Sequence, residues 1–264
     1  MPRMAALDAA TDDGQHLSVV RHGVTLRFDT AGFSAGRPYV YGPLERGRLY
    51  EEPFLEHIRS LRRVGQYVDV GAHLGTHTVW FAALCPATHV HAFEPVGRYA
   101  DVAQRNVVAN GLADRVTVHR VGLSDEPGQA TNYLSPEHQV GFGPEPGGVT
   151  EEFPVVRLDD LIDGPVALMK LDVEGMEAAV LRGATRILGR HRPVVFAEAH
   201  SPEAAGEIAA QLEPFGYRPT GRVFNSSPTY EYAVPSRFER LRPLYAMLPA
   251  GARNRLRRIL GIRR

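Results

Sequence analysis

The chain has 264 residues, of which 30 are lysine or arginine and 30 are aspartate or glutamate, so its formal net charge at pH 7 is zero. This balance gives no overall attraction to nucleic acid or to an anionic membrane. The single cysteine, Cys85, excludes an internal disulfide framework and a cysteine-ligated zinc site, and it suits a reducing compartment. The length is sufficient for one α/β domain with a sizeable core.

The sequence has no recognisable targeting or membrane segment. Residues 1–13 include one arginine but lack the apolar core of a secretory signal. No run in the chain approaches the roughly 20 apolar residues that a membrane-spanning helix needs. We therefore expect a cytoplasmic protein.

Residues 1–63 are predicted to form an extension that contains a hairpin and a helix. Two short apolar runs, 17–20 and 24–28, are typical of a β-hairpin. Apolar residues then recur at helical spacing over 45–63, with Pro53 where a helix tolerates proline in its first turn. We expect this extension to act as a lid over the site.

Strand and helix patterns alternate over 64–235, the predicted core domain. Such alternation indicates an α/β fold with a doubly wound, mostly parallel sheet. The Gly/Pro-rich segment 124–152 is weakly patterned, and we predict an excursion over the mouth of the site that acts as a mobile lid. The predicted elements are strands at 67–70, 90–93, 116–121, 167–172 and 194–199, helices at 76–84, 98–110, 176–188 and 202–215, and short terminal strands near 217 and at 230–234.

The first predicted core strand leads into a turn bounded by two glycines. The sequence there is YVDVGAHLGTHT, which gives Gly71-x-x-x-Gly75, and the next strand ends in Glu94. A dinucleotide fingerprint has three glycines, as G-x-G-x-x-G, because a pyrophosphate must approach bare backbone. The pattern here favours a cofactor without a pyrophosphate. S-adenosylmethionine fits, since Asp69 lies near the turn for its amino-acid end and Glu94 lies at the distance of a ribose-binding acid.

Three alternatives to this cofactor remain open. The glycines alone are compatible with a tight turn between a strand and a helix that binds no ligand. The turn and Glu94 together are compatible with an NAD(P)-dependent oxidoreductase, although the third glycine is missing. A non-catalytic binding or scaffold module is the remaining class, and the acids at the strand ends argue against it.

A second group of titratable residues follows two later core strands. Asp172 and Glu174 come after one strand, and Glu198 and His200 come at the end of the next. Because ligands bind at the carboxyl ends of parallel strands, we expect these residues in the same crevice as Gly71. Such a group can accept a proton from a hydroxyl, and a carboxylate can ligate a divalent cation, although no metal ligands are indicated. The alternative roles are a helix cap for Asp172, a solvated first-turn acid for Glu174 and a surface histidine for His200.

Several ordered motifs together resemble the FkbM family of S-adenosylmethionine-dependent methyltransferases. The resemblance covers roughly residues 50–200. It implies a class I methyltransferase sheet with an antiparallel last strand and, usually, O-methylation of a sugar or natural-product hydroxyl. The motifs are LYE at 49–51, YVDVGAHLG at 67–75, AFEP at 92–95, Asn106, NG at 110–111, LSD at 123–125, LDDL at 158–161, KLDVEG at 170–175 and LRGA at 181–184.

The resemblance also implies roles for individual residues. Asp69, Gly71 and Gly75 hold the methionine part of the cofactor, Glu94 binds its ribose, and two further residues lie near its adenine. The chain departs from the family where His73 replaces the usual asparagine, which alters the detailed contact with the cofactor. The other residues that we assign to the cofactor site are His73, Thr78, Pro95, Asp172 and, near the adenine, Leu123 and Ser124.

We therefore predict an S-adenosylmethionine-dependent O-methyltransferase whose acceptor is a hydroxyl of a small sugar, glycoside or polyketide-type molecule. The protein mainly aligns the acceptor oxygen with the activated methyl group and removes a proton. The candidates for the base are Asp172, Glu174 and His200, with Glu51 and Glu198 on the acceptor side. An N-methylating or protein-directed enzyme remains open, because acceptor choice depends on loops that sequence patterns do not resolve.

The C-terminal segment 236–264 interleaves arginines with apolar residues. On a helix these would form one basic and one apolar face, which can lie weakly on an anionic membrane or hold a phosphorylated carrier. A docked terminal helix or a solvated tail is the alternative. We expect no nucleic-acid partner, because no aromatic residue interleaves the arginines of 253–264 and the total charge is zero.

Overall fold

The computed structural model describes residues 11–12, 16–30, 39–134, 140–141 and 149–235. The strands are β1 (Thr11–Asp12), β2 (His16–Arg21), β3 (Val24–Asp29), β4 (Gly65–Val70), β5 (Ala87–Phe93), β6 (Val116–His119), β7 (Gly122–Leu123), β8 (Gly128–Leu134), β9 (Val140–Gly141), β10 (Val149–Val156), β11 (Val166–Leu171), β12 (Val194–Glu198), β13 (Arg218–Phe224) and β14 (Thr229–Ala233). The helices are α1 (Gly42–Glu45), α2 (Glu52–Ser60), α3 (Thr76–Leu84), α4 (Gly97–Ala109), α5 (Leu158–Leu161), α6 (Glu177–Arg182), α7 (Thr185–Arg190) and α8 (Pro202–Leu212).

Seven of these strands form the central sheet, in the order β13-β14-β12-β11-β4-β5-β6. Neighbouring strands from β12 to β6 are parallel, whereas β14 runs antiparallel to both β12 and β13. The predicted α/β fold, with a mostly parallel sheet and an antiparallel last strand, is therefore confirmed. Parallel strands are covered on both faces, which explains why β11 and β12 read VALMKL and VVFAE, almost entirely apolar.

Two apolar clusters cover the two faces of this sheet. Side chains alternate along β4, so Tyr67 belongs to one cluster and Val68 to the other. The predicted hairpin is present as β2 and β3, and its Leu26 and Phe28 are fully buried in the first cluster. The hairpin is therefore packed as part of the main core.

A second, smaller sheet occupies part of the segment that was predicted to be an irregular excursion. Its strand order is β7-β10-β8-β9, with β8 and β10 antiparallel. Phe153 and Val155 on β10 are buried, so this sheet has its own apolar face. The sequence pattern indicated no strand within 124–152, whereas the described residues there include β8, β9 and the start of β10. Residues 135–139 and 142–148 lie outside the described residues, and the role of the segment as a lid stays a prediction.

The helix predicted within 45–63 is present as α2, and Pro53 lies in its first turn as expected, although residues 46–51 are not helical. Helix α2 begins only at Glu52, because Glu51 has a left-handed backbone with φ of 53° and Pro53 then occupies the first turn. The buried residues Phe54 and Ile58 lie on one face of this helix. The sharp turn at Glu51 decides where that side chain lies.

The predicted helix over 176–188 is two helices, α6 and α7, which break at Gly183. A Cβ atom at Gly183 would lie 2.1 Å from the carbonyl oxygen of Ser124, so the helix breaks where it meets that loop. Asp159 then caps α7, because its carboxylate accepts from the backbone N–H groups of Arg186 at 2.6 Å and Ile187 at 3.0 Å. Long-range contacts, rather than local propensity, set these helix ends.

No helix in the described ranges is long and apolar enough to cross a bilayer. The C-terminal segment 236–264, on which we predict a basic amphipathic helix, lies outside the described residues.

Candidate active site

The predicted site residues lie at the carboxyl ends of four neighbouring strands. Asp69 lies on β4, Glu94 follows β5, Asp172 follows β11 and Glu198 ends β12. These strands are adjacent in the order β12-β11-β4-β5. The parallel arrangement therefore brings the two groups of acids to one edge of the sheet, as expected for a ligand crevice in an open α/β fold.

The turn after β4 depends on its first glycine. Gly71 has a φ of 75°, and a Cβ atom there would lie 1.8 Å from the carbonyl oxygen of Asp172. Its N–H also donates to the carbonyl of Phe93 at 3.0 Å. The turn is thus wedged between the ends of β5 and β11, and a side chain at this position would push these strand ends apart. Gly75, with a φ of 73°, starts α3.

Asp69 lies beneath this turn and has no exposed area. Its Oδ2 accepts a hydrogen bond from Thr78 Oγ1 at 2.6 Å, and its Oδ1 lies 3.4 Å from Lys170 Nζ. Lys170 in turn donates to the carbonyl oxygen of Gly71 at 2.8 Å and lies 3.2 Å from Asp172 Oδ2. Asp69 therefore acts on the turn through Lys170 and Thr78.

Sequence reasoning missed Lys170, although a signal was present. Lys170 is the only charged residue in the strand VALMKL and is 4% exposed. A buried ammonium needs paired acids, and Asp69 and Asp172 are those acids. Their charges outweigh the effect of burial and raise the pKa of Lys170, which keeps the side chain positively charged.

Glu94 is held by two backbone N–H groups. Its Oε2 accepts from His73 N at 2.8 Å and its Oε1 from Val96 N at 2.9 Å. Burial raises the pKa of Glu94 to about 7, and these two hydrogen bonds oppose the shift. Each carboxylate oxygen has a second lone pair, so the fixed carboxyl group can still accept from the two hydroxyls of a ribose.

His73 meets Glu94 through its backbone rather than its side chain. Its imidazole packs edge-on against the ring of Tyr99, with 4.5 Å between ring centroids. Burial lowers the pKa of His73 to about 4, so the ring is neutral at pH 7. The replacement of the family's usual asparagine therefore leaves the hydrogen bond to Glu94 intact.

An apolar cleft of about 380 Å³, part of it open solvent, lies beside this turn. Three of the predicted cofactor residues, Gly71, Pro95 and Leu123, line it together with residues of the smaller sheet such as Phe153. Ser124 is buried next to it, and its hydroxyl donates to Asp125 Oδ1 at 3.0 Å. The lining is apolar, as in the pockets that bind flat aromatic groups.

A second group of side chains comes together where β11 and β12 end. It consists of Asp172, Glu174, Glu198 and His200. His200 Nε2 lies 3.2 Å from Glu174 Oε2 and 3.3 Å from Glu198 Oε2. Burial, and then the Asp172 carboxylate, raise the pKa of Glu198 to about 8. Burial opposes ionisation of Asp172 too, but Lys170 and the hydrogen bond with Glu198 outweigh it and lower the pKa of Asp172. At neutral pH Glu198 is thus mainly protonated and Asp172 is ionised.

Glu51 faces the same group from the N-terminal extension. Its side chain is 13% exposed, and its Oε2 lies 3.6 Å from His77 Nε2. Burial raises the pKa of Glu51 to about 7, which Lys170 opposes and Asp172 reinforces. Sequence reasoning missed His77, whose ring stacks on Tyr50 and whose pKa burial lowers to about 4. The contact between Glu51 and His77 depends on the left-handed turn at Glu51, which sequence patterns do not indicate.

Comparison with known proteins agrees with this geometry. The methyltransferase FkbM domain matches residues 69–219. The 31-O-demethyl-FK506 methyltransferase FkbM of Streptomyces tacrolimicus is 30% identical over an alignment of 233 residues that covers 74% of this chain and 86% of that protein. Methyltransferase sdnD of Sordaria araneosa is 26% identical over 69% of this chain and 80% of that protein.

A solved structure shares the fold of this chain. The crystal structure of methyltransferase FkbM from Methylobacillus flagellatus superposes with a TM-score of 0.51 at 21% identity. The match covers 66% of this chain and 45% of that one, so the present chain spans less than half of that structure. The match of the family model over more than half of the chain decides the identity: the protein is a methyltransferase that belongs to the FkbM family.

Proposed function

We propose that this methyltransferase uses S-adenosylmethionine and methylates a hydroxyl group of a small molecule of the sugar, glycoside or polyketide type. One observation carries the proposal. The Gly71 turn separates a buried carboxyl group, Glu94, which retains acceptor capacity, from an ionised carboxylate, Asp172. A cofactor with a ribose and an acceptor with a hydroxyl would thus meet at this turn.

The described residues fit the cofactor. Glu94 would accept from the ribose hydroxyls, and the cleft lined by Pro95 and Leu123 would take the adenine. The Gly71–Gly75 turn would hold the amino-acid end, supported from below by Asp69. When bound, S-adenosylmethionine supplies a methyl group that is already activated on a sulfonium sulfur.

The protein's own part is to position the acceptor and to take its proton. Asp172 is 39% exposed in its side chain and ionised, so it can accept a hydrogen bond from an acceptor hydroxyl and orient the oxygen. Lys170 fixes the carboxylate of Asp172 from below. Glu174 and His200 are the other candidates for the base, and Glu51 and Glu198 would contact the acceptor.

The acceptor class has support from the relatives. The Streptomyces tacrolimicus protein is, by its name, a methyltransferase of 31-O-demethyl-FK506, which is a natural product with an oxygen acceptor. We propose the same class of acceptor for this chain, in a cytoplasmic enzyme without a nucleic-acid partner. Weak contact of the segment 236–264 with a membrane surface remains a separate prediction.

Calorimetric titration with S-adenosylhomocysteine, NAD and NADP tests the cofactor directly. We expect S-adenosylhomocysteine alone to bind, and affinity to fall about 10–100-fold in Glu94→Gln, because a hydrogen bond to a charged acceptor contributes about 1.5–3 kcal/mol. The exposed Glu207→Gln is the matched control and should bind normally. Binding of a nicotinamide nucleotide instead would overturn the cofactor assignment, and binding of none would overturn the proposal as a whole.

A further inference from the structure

We propose that Glu174, Glu198 and His200 bind a divalent cation next to Asp172. Each residue offers one ligand atom, and these atoms all lie within 4.8 Å of one another. His200 Nε2 is 3.2 Å from Glu174 Oε2 and 3.3 Å from Glu198 Oε2. Ligands that share a metal ion at about 2.1 Å lie roughly 3–3.5 Å apart, so the two contacts of His200 already have the required spacing.

An incomplete hydrogen-bond pattern at Glu198 independently indicates a ligand. Glu198 is 8% exposed, and its buried Oε2 has no hydrogen-bond partner in the described structure. The hydrogen bond that Glu198 shares with Asp172 thus leaves this oxygen unsatisfied, and a buried carboxyl oxygen without a donor is unfavourable by about 1–3 kcal/mol. This oxygen is also the Glu198 atom that faces His200, so a cation between the three side chains would complete its coordination.

The second nitrogen of His200 is oriented as in a metal site. Nδ1 lies 3.2 Å from Ser227 Oγ. When Nδ1 donates its proton to Ser227, Nε2 carries the lone pair that faces Glu174 and Glu198. Metal-ligating histidines are characteristically fixed in this way by a hydrogen bond at the other ring nitrogen.

The charges of the site favour the same assignment. Three carboxyl groups, those of Asp172, Glu174 and Glu198, face this edge, and Lys170 beside them is already shared between Asp69, Asp172 and Gly71. Because a carboxyl group releases its proton when it ligates a metal ion, a divalent cation would balance Glu174 and Glu198 as carboxylates. One imidazole with two carboxylates suits a first-row ion such as Mn²⁺ or Zn²⁺ better than Ca²⁺, which takes oxygen ligands.

The position also gives the cation a role, which rests on the proposed function. The side chains of Glu174 and His200 are 44% and 49% exposed, so the ion would keep open positions toward solvent. An acceptor hydroxyl bound there would lie beside Asp172 and would lose its proton more easily. The cation would therefore complete the acceptor half of the site.

Mn²⁺ alone is the probe for the test. The full chain, freed of metal with a chelator, is titrated with Mn²⁺ while electron paramagnetic resonance reports the free ion. We expect one saturable site, with affinity lowered at least tenfold in Glu198→Gln and in His200→Gln and unchanged in Glu207→Gln. Circular dichroism verifies that each variant is folded. Absence of a saturable site, or equal affinity in all variants, would refute the proposal.

A measurement on the unmodified protein removes the dependence on variants. Electron spin echo modulation of bound Mn²⁺ should show ¹⁴N coupling from the imidazole of His200. A bound ion without nitrogen coupling would place the cation elsewhere and overturn the assignment. Neither measurement uses the cofactor or an acceptor, so failure here is distinguishable from failure of S-adenosylhomocysteine to bind.

Discussion

The two halves of the site are constructed differently. On the cofactor side, Glu94 is fixed by two backbone N–H groups, and Asp69 is fixed beneath the turn by Thr78 and Lys170. On the acceptor side, His200 and Glu174 are about half exposed. Backbone N–H groups and buried side chains therefore fix the proposed cofactor half, whereas half-exposed side chains from separate strands form the proposed acceptor half.

The largest effect is expected where the two halves meet. Gly71→Ala would place a Cβ 1.8 Å from the carbonyl of Asp172, in a backbone conformation that alanine disfavours. We expect a loss of at least about 3 kcal/mol in the free energy of unfolding, together with loss of S-adenosylhomocysteine binding. Urea denaturation and calorimetry measure the two quantities.

Gly111→Ala is the matched control for that substitution. Gly111 also has a positive φ, 66°, but a Cβ atom there would meet nothing within 4 Å. Only the cost of the left-handed conformation, about 1–2 kcal/mol, should appear. Equal destabilisation by the two alanines would mean that close approach at Gly71 is unimportant.

The next largest effect tests the acceptor half alone. Asp172→Asn removes the ionised carboxylate but keeps its shape, so turnover should fall about 100-fold or more, as is typical when a proton acceptor is lost. Affinity for S-adenosylhomocysteine separates the two roles assigned to Asp172: it stays the same if Asp172 is the proton acceptor, and it falls if Asp172 holds the cofactor. Methyl transfer to a hydroxylated acceptor is measured with radiolabelled cofactor.

Asp101→Asn, on the exposed face of α4, serves as the control for Asp172→Asn and should keep full turnover. If Asp172→Asn also turns over normally, the corresponding amide or alanine variants of Glu174 and His200 are tested next. Normal turnover in all three would show that positioning alone carries the reaction.

Much of the proposed cofactor half could be predicted from the sequence, because its main residues lie close together along the chain. The Gly71 turn and the place of Glu94 follow from local spacing along one strand–turn–helix–strand unit, whereas the order of the seven strands was not predicted. The contacts of Lys170 and the break at Gly183 depend on residues far apart in the chain, such as Asp69 and Ser124. The pairing of β8 with β10 likewise joins two stretches that have little pattern of their own, and local spacing does not encode it.

A smaller effect concerns stability against pH. Burial raises the pKa of Glu51 from its ordinary value of 4.5 to about 7. The folded protein thus binds more protons than the unfolded chain in this window, and stability falls as the pH rises from about 4.5 to 7. Glu51→Gln removes this dependence, so the variant should gain stability relative to the parent at pH 8 compared with pH 5.

Urea midpoints at pH 5 and pH 8 measure that gain, and the exposed Glu126→Gln provides the matched control, which should follow the parent at both pH values. A Glu51→Gln variant that loses stability equally at both pH values would show that the carboxyl group is needed in its protonated form for a hydrogen bond. The acid would then belong to the fixed part of the molecule rather than to the open acceptor half.

The smallest effect is expected at His73, where the chain departs from its family. The residue holds Glu94 through its backbone N–H, and its φ of 49° lies in the region that asparagine tolerates better than most residues. His73→Asn should therefore change the affinity for S-adenosylhomocysteine by less than about threefold, within the range of about 0.5 kcal/mol typical of neutral substitutions. Calorimetry beside Glu94→Gln gives the contrast. A large change would mean that the imidazole itself contacts the cofactor, and the cofactor half would then depend on a side chain as the acceptor half does.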